Sequence, residues 1–193
     1  MDRGYIYLNK KSYLHNIEVL KNLSKKELCL VVKANAYGHG LEWAVQNAKE
    51  SGVKWFAVAS VDEGIQVKKV YGESSVLLLA EPSKTQLENI KGNDIDLTVY
   101  NESFIDTLIE TGDEYSVHLK IDTGMHRLGC PPGKFYDLYK KIIDSNLNLI
   151  GICTHFPLAD TDEAETKKSI ELFEKTISDI DTTNMILHVD NSA

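Results

Sequence analysis

Short runs of β-branched and aliphatic residues alternate with longer amphipathic stretches along the chain, and this alternation constrains the fold more than any other feature. Its period of roughly 20–30 residues is typical of βα units laid into a parallel sheet. The pattern predicts seven strands, at 28–35, 55–60, 76–81, 95–100, 115–123, 149–155 and 185–191. It predicts helices at about 11–23, 41–51, 61–72, 83–91, 101–111, 132–145 and 162–180.

Capping residues and glycines mark the ends of the predicted helices. Ser60, Asn101 and either Asp160 or Thr161 stand where an N-cap is expected. Their short side chains carry an oxygen that accepts an otherwise unpaired backbone N–H. Glycine terminates helices because it readily adopts the left-handed conformation, and four glycines stand where helices should end: Gly52, Gly72, Gly92 and Gly112.

Seven parallel strands with helices between them favour a barrel of the TIM (β/α)8 type over an open sheet. Such a barrel has eight strands. The sequence therefore predicts an α/β fold with a single barrel domain over residues 1–193, truncated after the seventh strand. An open seven-stranded sheet is the competing interpretation. If the barrel is incomplete, its two unpaired edge strands are expected to promote association.

Composition excludes several classes of protein. The chain has 193 residues, and 21 Lys+Arg against 29 Asp+Glu give a net charge of −8. Without a basic stripe, nucleic-acid binding is not expected. No apolar run approaches the roughly 20 residues that span a bilayer, and no signal peptide is evident. Cys29, Cys130 and Cys153 are too widely spaced to indicate a disulfide framework or a structural zinc site, so we expect a cytoplasmic protein without a metal.

Ligands of parallel α/β folds bind beyond the carboxyl ends of the strands, so the polar residues there are the first candidates for a site. In the first strand, alternation places Val31, Lys33 and Asn35 on one face. A lysine in an apolar segment is costly to bury without a partner and is a candidate nucleophile. A surface lysine with its head in solvent is equally compatible with this segment.

The fifth predicted strand carries the densest group of candidates. His118, Lys120 and Asp122 lie on the face expected to point into the barrel, and Arg127 follows in the turn. Two cations at one strand end require an anion, which a side chain or a ligand supplies. A solvated salt bridge of Asp122 is the alternative interpretation.

The last two predicted strands end in His155 and in the pair Asn191 and Ser192. A histidine at a strand end is more often a hydrogen-bonded structural residue than a catalyst. The two small polar residues are compatible with a helix cap, which these residues alone favour, or with phosphate binding through a hydroxyl and backbone N–H groups.

Four segments, in order, resemble segments of bacterial alanine racemases. VVKANAYGHG at 31–40 resembles the pyridoxal-phosphate attachment motif, and KIDTGMHRLG at 120–129 resembles a second signature of that family. THF at 154–156 and NSA at 191–193 match two shorter landmarks. The resemblance implies the N-terminal barrel of an isomerase that interconverts L- and D-alanine with pyridoxal 5′-phosphate (PLP). It also implies a head-to-tail homodimer and a supply of D-alanine for peptidoglycan.

The resemblance also implies roles for the residues nearest the cofactor. Lys33 would hold PLP as an internal aldimine and act as one catalytic base. Tyr37 and Ser192 would contact the cofactor phosphate, with Asn191 close by.

The resemblance implies roles for three further residues. Arg127 would bond near the phenolic oxygen of the cofactor and to the substrate carboxylate. Lys120 would be carbamylated and pair with Arg127. His155 would bond to an arginine beneath the pyridine ring.

Parts of the family pattern have no counterpart within residues 1–193. These are the arginine at the pyridine nitrogen, the tyrosine base on the opposite face, the eighth strand and the β-rich C-terminal domain. We therefore expect the isolated chain not to be a competent two-base racemase. A serine or broad-spectrum racemase of the same fold, membrane-attached in some forms, is one alternative. A non-catalytic PLP-binding barrel protein is another.

Overall fold

The predicted alternation of strands and helices is confirmed in the computed structural model, which describes residues 4–189. In chain order the elements are α1 (Lys10–Ser24), β1 (Cys29–Val31), α2 (Lys33–Tyr37), α3 (Leu41–Glu50), β2 (Trp55–Val58), α4 (Val61–Val70), β3 (Ser75–Leu78), α5 (Lys84–Ile90), β4 (Ile95–Val99), α6 (Glu102–Thr111), β5 (Ser116–Lys120), α7 (Pro132–Ile143), β6 (Asn148–Cys153), α8 (Glu163–Ile177) and β7 (Ile186–His188).

The chain divides into two compact units, the first ending at Ile95. In this unit β1 pairs with β2 and β2 with β3, all parallel. Phe56 and Val58 of β2 are fully buried, as are Val45 of α3 and Val67 of α4. The apolar faces of the helices therefore cover the strands, which is the arrangement that parallel strands require.

The second unit begins at Asp96 and contains the parallel pairs β4–β5, β5–β6 and β6–β7. Val117 and Leu119 are fully buried on one face of β5, and His118 is fully buried on the other. Because both faces of this strand are covered, the buried histidine must find polar partners.

Most of the predicted helix ends are confirmed. Ser60 and Glu63 form a capping box at the start of α4. Asn101 caps α6 by accepting the N–H of Ser103 at 3.0 Å. Gly112 ends α6 in the left-handed conformation, with φ of 71°.

The predicted cap of α8 is wrong. Neither Asp160 nor Thr161 is the N-cap, because the backbone N–H groups of Thr161 and Asp162 both bond to the carbonyl of Leu158 in a preceding turn. Asp162 is the N-cap, and its carboxylate accepts the N–H of Glu165 at 2.9 Å.

None of the helices within residues 4–189 is both long enough and apolar enough to cross a bilayer.

Candidate active site

Lys33 lies two residues beyond β1, at the start of the left-handed turn α2. The predicted strand at 28–35 ends at Val31, and residues 34–37 all have φ between 52° and 54°. The prediction that Lys33 and Asn35 share a strand face is therefore wrong. The strand alternation does not extend into the residues with left-handed backbone conformation.

Four consecutive left-handed residues other than glycine are unusual, since each costs about 1–2 kcal/mol. Hydrogen bonds fix the turn along its length. Ala36 N–H bonds to the carbonyl of Val32 at 2.8 Å, and Gly40 N–H bonds to that of Asn35 at 2.9 Å. The side-chain oxygen of Asn35 accepts the N–H of Leu41, also at 2.8 Å. The surrounding structure thus holds a strained conformation, as is common at functional sites.

Two side chains of this turn have no polar partner in the part of the chain that the structure describes. The Lys33 side chain is half-buried, and it forms no hydrogen bond or ion pair with any other residue in the range 4–189. The Tyr37 side chain is 62% exposed and likewise has no such bond there. An amine and a phenolic hydroxyl therefore lie beyond the carboxyl end of β1, with their polar atoms free to bind a ligand.

The loop after β5 is shaped by Asp122. One carboxylate oxygen accepts the backbone N–H groups of Gly124 and His126, both at 3.0 Å. The other lies 3.6 Å from Nδ1 of His126. The carboxylate therefore binds its own loop, and it sets the path of the chain into Arg127.

Partial burial acts to raise the pKa of Asp122, but hydrogen bonds from the His126 and Gly124 N–H groups, with the nearby His126 charge, lower it overall. The folded-state pKa thus lies below the unfolded value of about 4. The ionised carboxylate stabilises the loop above that value, and this contribution is lost as the pH falls through the lowered pKa. The loop consequently keeps this support throughout the neutral range.

The remaining predicted site residues of the second unit follow β5 and β6. Lys120 ends β5 and pairs in register with Cys153, the last residue of β6. His155 is half-buried two residues beyond Cys153. Arg127 is exposed, and its guanidinium has no hydrogen bond or ion pair among the residues that the structure describes.

Within each unit the structure brings predicted site residues to the carboxyl ends of strands. Lys33 and Tyr37 share one turn in the first unit, whereas Lys120, Arg127 and His155 lie at or beyond the ends of neighbouring strands in the second. The predictions for Asn191 and Ser192 lie outside the described residues.

A buried group of hydroxyls fixes the loop after β5 to the rest of its unit. Thr154 Oγ1 donates to the carbonyl of Ile121 at 2.9 Å and lies 2.7 Å from Thr123 Oγ1. Ser169 of α8 donates to the carbonyl of Thr123 at 3.0 Å. These bonds hold the start of the Arg127 loop against both β6 and α8.

Two histidines meet across β6. Nδ1 of His118 lies 2.8 Å from Nε2 of His188, with the two rings nearly perpendicular. Nε2 of His118 lies 3.8 Å from a carboxylate oxygen of Asp96. Gly151 of β6 makes room for this contact, because a Cβ there would overlap Nδ1 of His118 and lie 2.9 Å from the carbonyl of Ile186.

The histidine pair predicts a pH-dependent stability. Burial, with the nearby His118 and Lys120 charges, lowers the pKa of His188 to about 3. Between this value and about 6.5 the unfolded chain binds a proton that the folded chain does not. The free energy of unfolding therefore falls as the pH falls, by about 1.4 kcal/mol per pH unit from this group. We expect His188→Asn to flatten this slope in urea unfolding followed across the acid range.

The exposed residue His15 provides the control for this experiment. His15→Asn should keep the wild-type slope. Equal slopes in the wild type and in His188→Asn would show that His188 titrates alike in both states and would contradict the prediction.

Sequence reasoning missed two residues of these networks. His188 lies in register beside Cys153, and its only signal is a polar position in an apolar strand. Glu63 is the last residue of a Ser-x-x-Glu capping pattern, which predicts a helix start but indicates no contact with the Lys33 turn. Its bond to the backbone after Lys33, at 2.6 Å, has no local signal.

Comparisons with known proteins support the family resemblance of the sequence. A family model described as alanine racemase, N-terminal domain, matches residues 8–193. An alanine racemase of Treponema denticola is 36% identical over 98% of this chain and 53% of its own length. An amino-acid racemase of Enterococcus faecalis is 34% identical over 91% of this chain and 26% of its own length.

A solved structure shows the same fold. The crystal structure of the alanine racemase of Oenococcus oeni matches with a TM-score of 0.85 at 28% identity, covering 94% of this chain and 54% of that one. The chain spans about half the length of the first curated relative. The predicted α/β fold of the TIM-barrel type is confirmed, and the chain belongs to the alanine racemase family.

Proposed function

We propose that this chain provides the cofactor-binding barrel of a PLP-dependent racemase that interconverts L- and D-alanine. The observation that carries the proposal is the environment of the Lys33 side chain. This side chain is half-buried, has no polar partner within residues 4–189, and leaves a turn that the structure holds in a costly conformation. A lysine so placed, inside a segment that matches the family motif, supports covalent binding of an aldehyde cofactor.

The polar groups of these residues fit PLP. Lys33 would hold the cofactor aldehyde through its amine, and Tyr37 would hold the phosphate through its exposed hydroxyl. The planar guanidinium of Arg127 suits the phenolic oxygen and a carboxylate. Asn191 and Ser192 are proposed as further cofactor ligands on the match of their motif. When bound, PLP withdraws electrons from the α-carbon of an amino acid, so that its proton can be removed at neutral pH.

The protein's own groups then hold the substrate and move the proton. Lys33 Nζ accepts the α-proton on one face or returns it there. Arg127 binds the substrate carboxylate and fixes the direction of the α-C–H bond. Inversion needs a second acid–base group on the opposite face, and none of the matched residues takes that role.

The remaining expectations belong to the same proposal. The Lys120 amine adds carbon dioxide and releases a proton, and the resulting carbamate pairs with Arg127. His155 orients a neighbouring arginine by a hydrogen bond. The full-length protein works as a homodimer in the cytoplasm and supplies D-alanine for peptidoglycan.

A racemase of broader substrate range is the second candidate, which the similarity to the Enterococcus faecalis amino-acid racemase favours. Serine is its first test substrate, because it differs from alanine by a single hydroxyl. A pocket that merely accommodates an added hydroxyl discriminates by about 10²-fold or less.

Racemisation by the full-length protein tests both candidates. With PLP added, L-alanine and L-serine are supplied separately and the D-isomers are separated by chiral chromatography. We expect kcat/KM for alanine to exceed that for serine by at least about tenfold. A higher value for serine would move the assignment to the second candidate, and no racemisation of either amino acid with PLP bound would contradict the proposal.

A further inference from the structure

The carboxylate of Glu63 bonds to three backbone N–H groups, one of them next to Lys33. Its Oε1 accepts the N–H of Ala34 at 2.6 Å. Its Oε2 accepts those of Ala59 at 3.0 Å and Ser60 at 3.2 Å. One side chain therefore joins the turn after β1 to the junction between β2 and α4.

Helix capping accounts for only one of the two carboxylate oxygens. In a capping box the N3 carboxylate accepts the N–H of the N-cap residue, and Oε2 of Glu63 does so at Ser60. Oε1 is not needed for that purpose. It makes the shortest of the three bonds, and its donor, Ala34, is the first left-handed residue of the turn.

The bond to Ala34 also fixes Lys33. The Ala34 N–H and the Lys33 carbonyl belong to one planar peptide unit, so holding the N–H holds the torsion angle ψ of Lys33. A hydrogen bond to an ionised acceptor is roughly twice as strong as a neutral one. Without it, the left-handed residues would relax toward conformations of lower intrinsic energy and carry the amine with them.

We propose that Glu63 is a positioning residue for Lys33, and that it acts by binding the backbone N–H of Ala34. The catalytic meaning of this role rests on the proposed function, whereas the bond and its effect on the turn do not. Glu63 is half-buried beside α2 and reaches across 29 positions of sequence, which places it outside the motif that carries Lys33.

Glu63→Gln separates the two uses of this carboxylate. Glutamine has the same length but a single acceptor oxygen. The cap offers that oxygen two N–H groups, whereas Ala34 offers one, so the oxygen is expected at the cap. The amide NH2 then faces the N–H of Ala34, and that bond is lost while the cap is kept.

Asp62→Asn is the matched control. Asp62 is exposed in the same first turn of α4, and its side chain makes no hydrogen bond or ion pair with the rest of the described chain. This variant removes the same charge from the same helix end without touching the Lys33 turn.

Amide hydrogen exchange of the full-length protein gives the first readout, and it needs no activity. The Ala34 amide should be protected in the wild type and exchange at least about tenfold faster in Glu63→Gln, but not in Asp62→Asn. The second readout is kinetic. We expect kcat of Glu63→Gln to fall about 10- to 100-fold with KM nearly unchanged, and its melting temperature to match that of the control. A purely structural role would lower the melting temperature and leave kcat intact.

An unprotected Ala34 amide in the wild-type protein would overturn the proposal even if Glu63→Gln failed to fold. Equal Ala34 exchange and equal kcat in the two variants would also overturn it. Failure of the proposed function would look different. Borohydride would then trap no PLP on Lys33 of the wild type, while the exchange data still decide whether Glu63 holds the turn.

Discussion

Lys33→Ala is expected to reduce racemisation of alanine by the full-length protein at least about 10³-fold. The variant removes the amine that we propose both to bind the cofactor covalently and to act as the base on one face of the substrate, and general base catalysis alone commonly contributes about 10²–10⁴-fold. Lys33 is half-buried without a polar partner in the described chain. Its truncation therefore breaks no hydrogen bond or ion pair there, and the loss should appear in turnover rather than in folding.

Lys26→Ala is the control for this prediction, because Lys26 is an exposed lysine of the same unit. Initial rates of D-alanine formation and the visible absorbance of lysine-bound PLP are measured for both variants. The control should keep wild-type rates and absorbance. An active Lys33→Ala enzyme with its cofactor bound would show that the base lies elsewhere.

Arg127→Ala is expected to lower kcat/KM for alanine by about 10²–10³-fold, the usual cost of removing one preorganised charged donor from an active site. The guanidinium is exposed and has no partner among residues 4–189. The loop that carries it is fixed by Asp122 and by the buried hydroxyl of Ser169, which donates to the carbonyl of Thr123. A hydrogen-bonded loop carrying a cation that has no partner in the described chain supports the proposed binding of an anion.

Two further variants sharpen the Arg127 prediction. Arg127→Lys keeps the charge but loses the planar pair of donors, so it should recover only part of the activity. Lys167→Ala removes an exposed cation from α8 of the same unit and should behave as wild type. If Arg127→Ala and Lys167→Ala lose activity to the same small extent, Arg127 has only a general electrostatic effect.

The sequence predicts the order of elements well because each element is specified locally. Ser60, Asn101 and Gly112 act at helix ends through bonds within a few residues. The prediction of the N-cap of α8 is wrong for a related reason. Three residues in succession, Asp160, Thr161 and Asp162, can all cap, and the turn that selects among them depends on Leu158.

The conformation of the Lys33 turn could not be predicted from local pattern. The segment from Cys29 to Asn35 keeps the alternation of a strand, and the residues that become left-handed are not glycines. Their conformation is held by tertiary bonds, including the one from Glu63. Long-range contacts here override the local conformational preferences of the residues, as is expected at a functional site.

The contact between the two histidines could not be predicted from local pattern either, because it joins residues far apart in the sequence. His118 and His188 are 70 residues apart and lie on strands separated by β6. Their contact depends on the absence of a side chain at Gly151. Alternation placed His118 on an interior face, but only the register between three strands reveals its partner.

Covalent trapping tests the role of Lys33 most directly. The full-length protein is incubated with PLP and reduced with borohydride, and its peptides are analysed by mass spectrometry. We predict one phosphopyridoxyl group, on the peptide that contains Lys33. Labelling of other lysines such as Lys120 or Lys54, with Lys33 unmodified, would contradict the account.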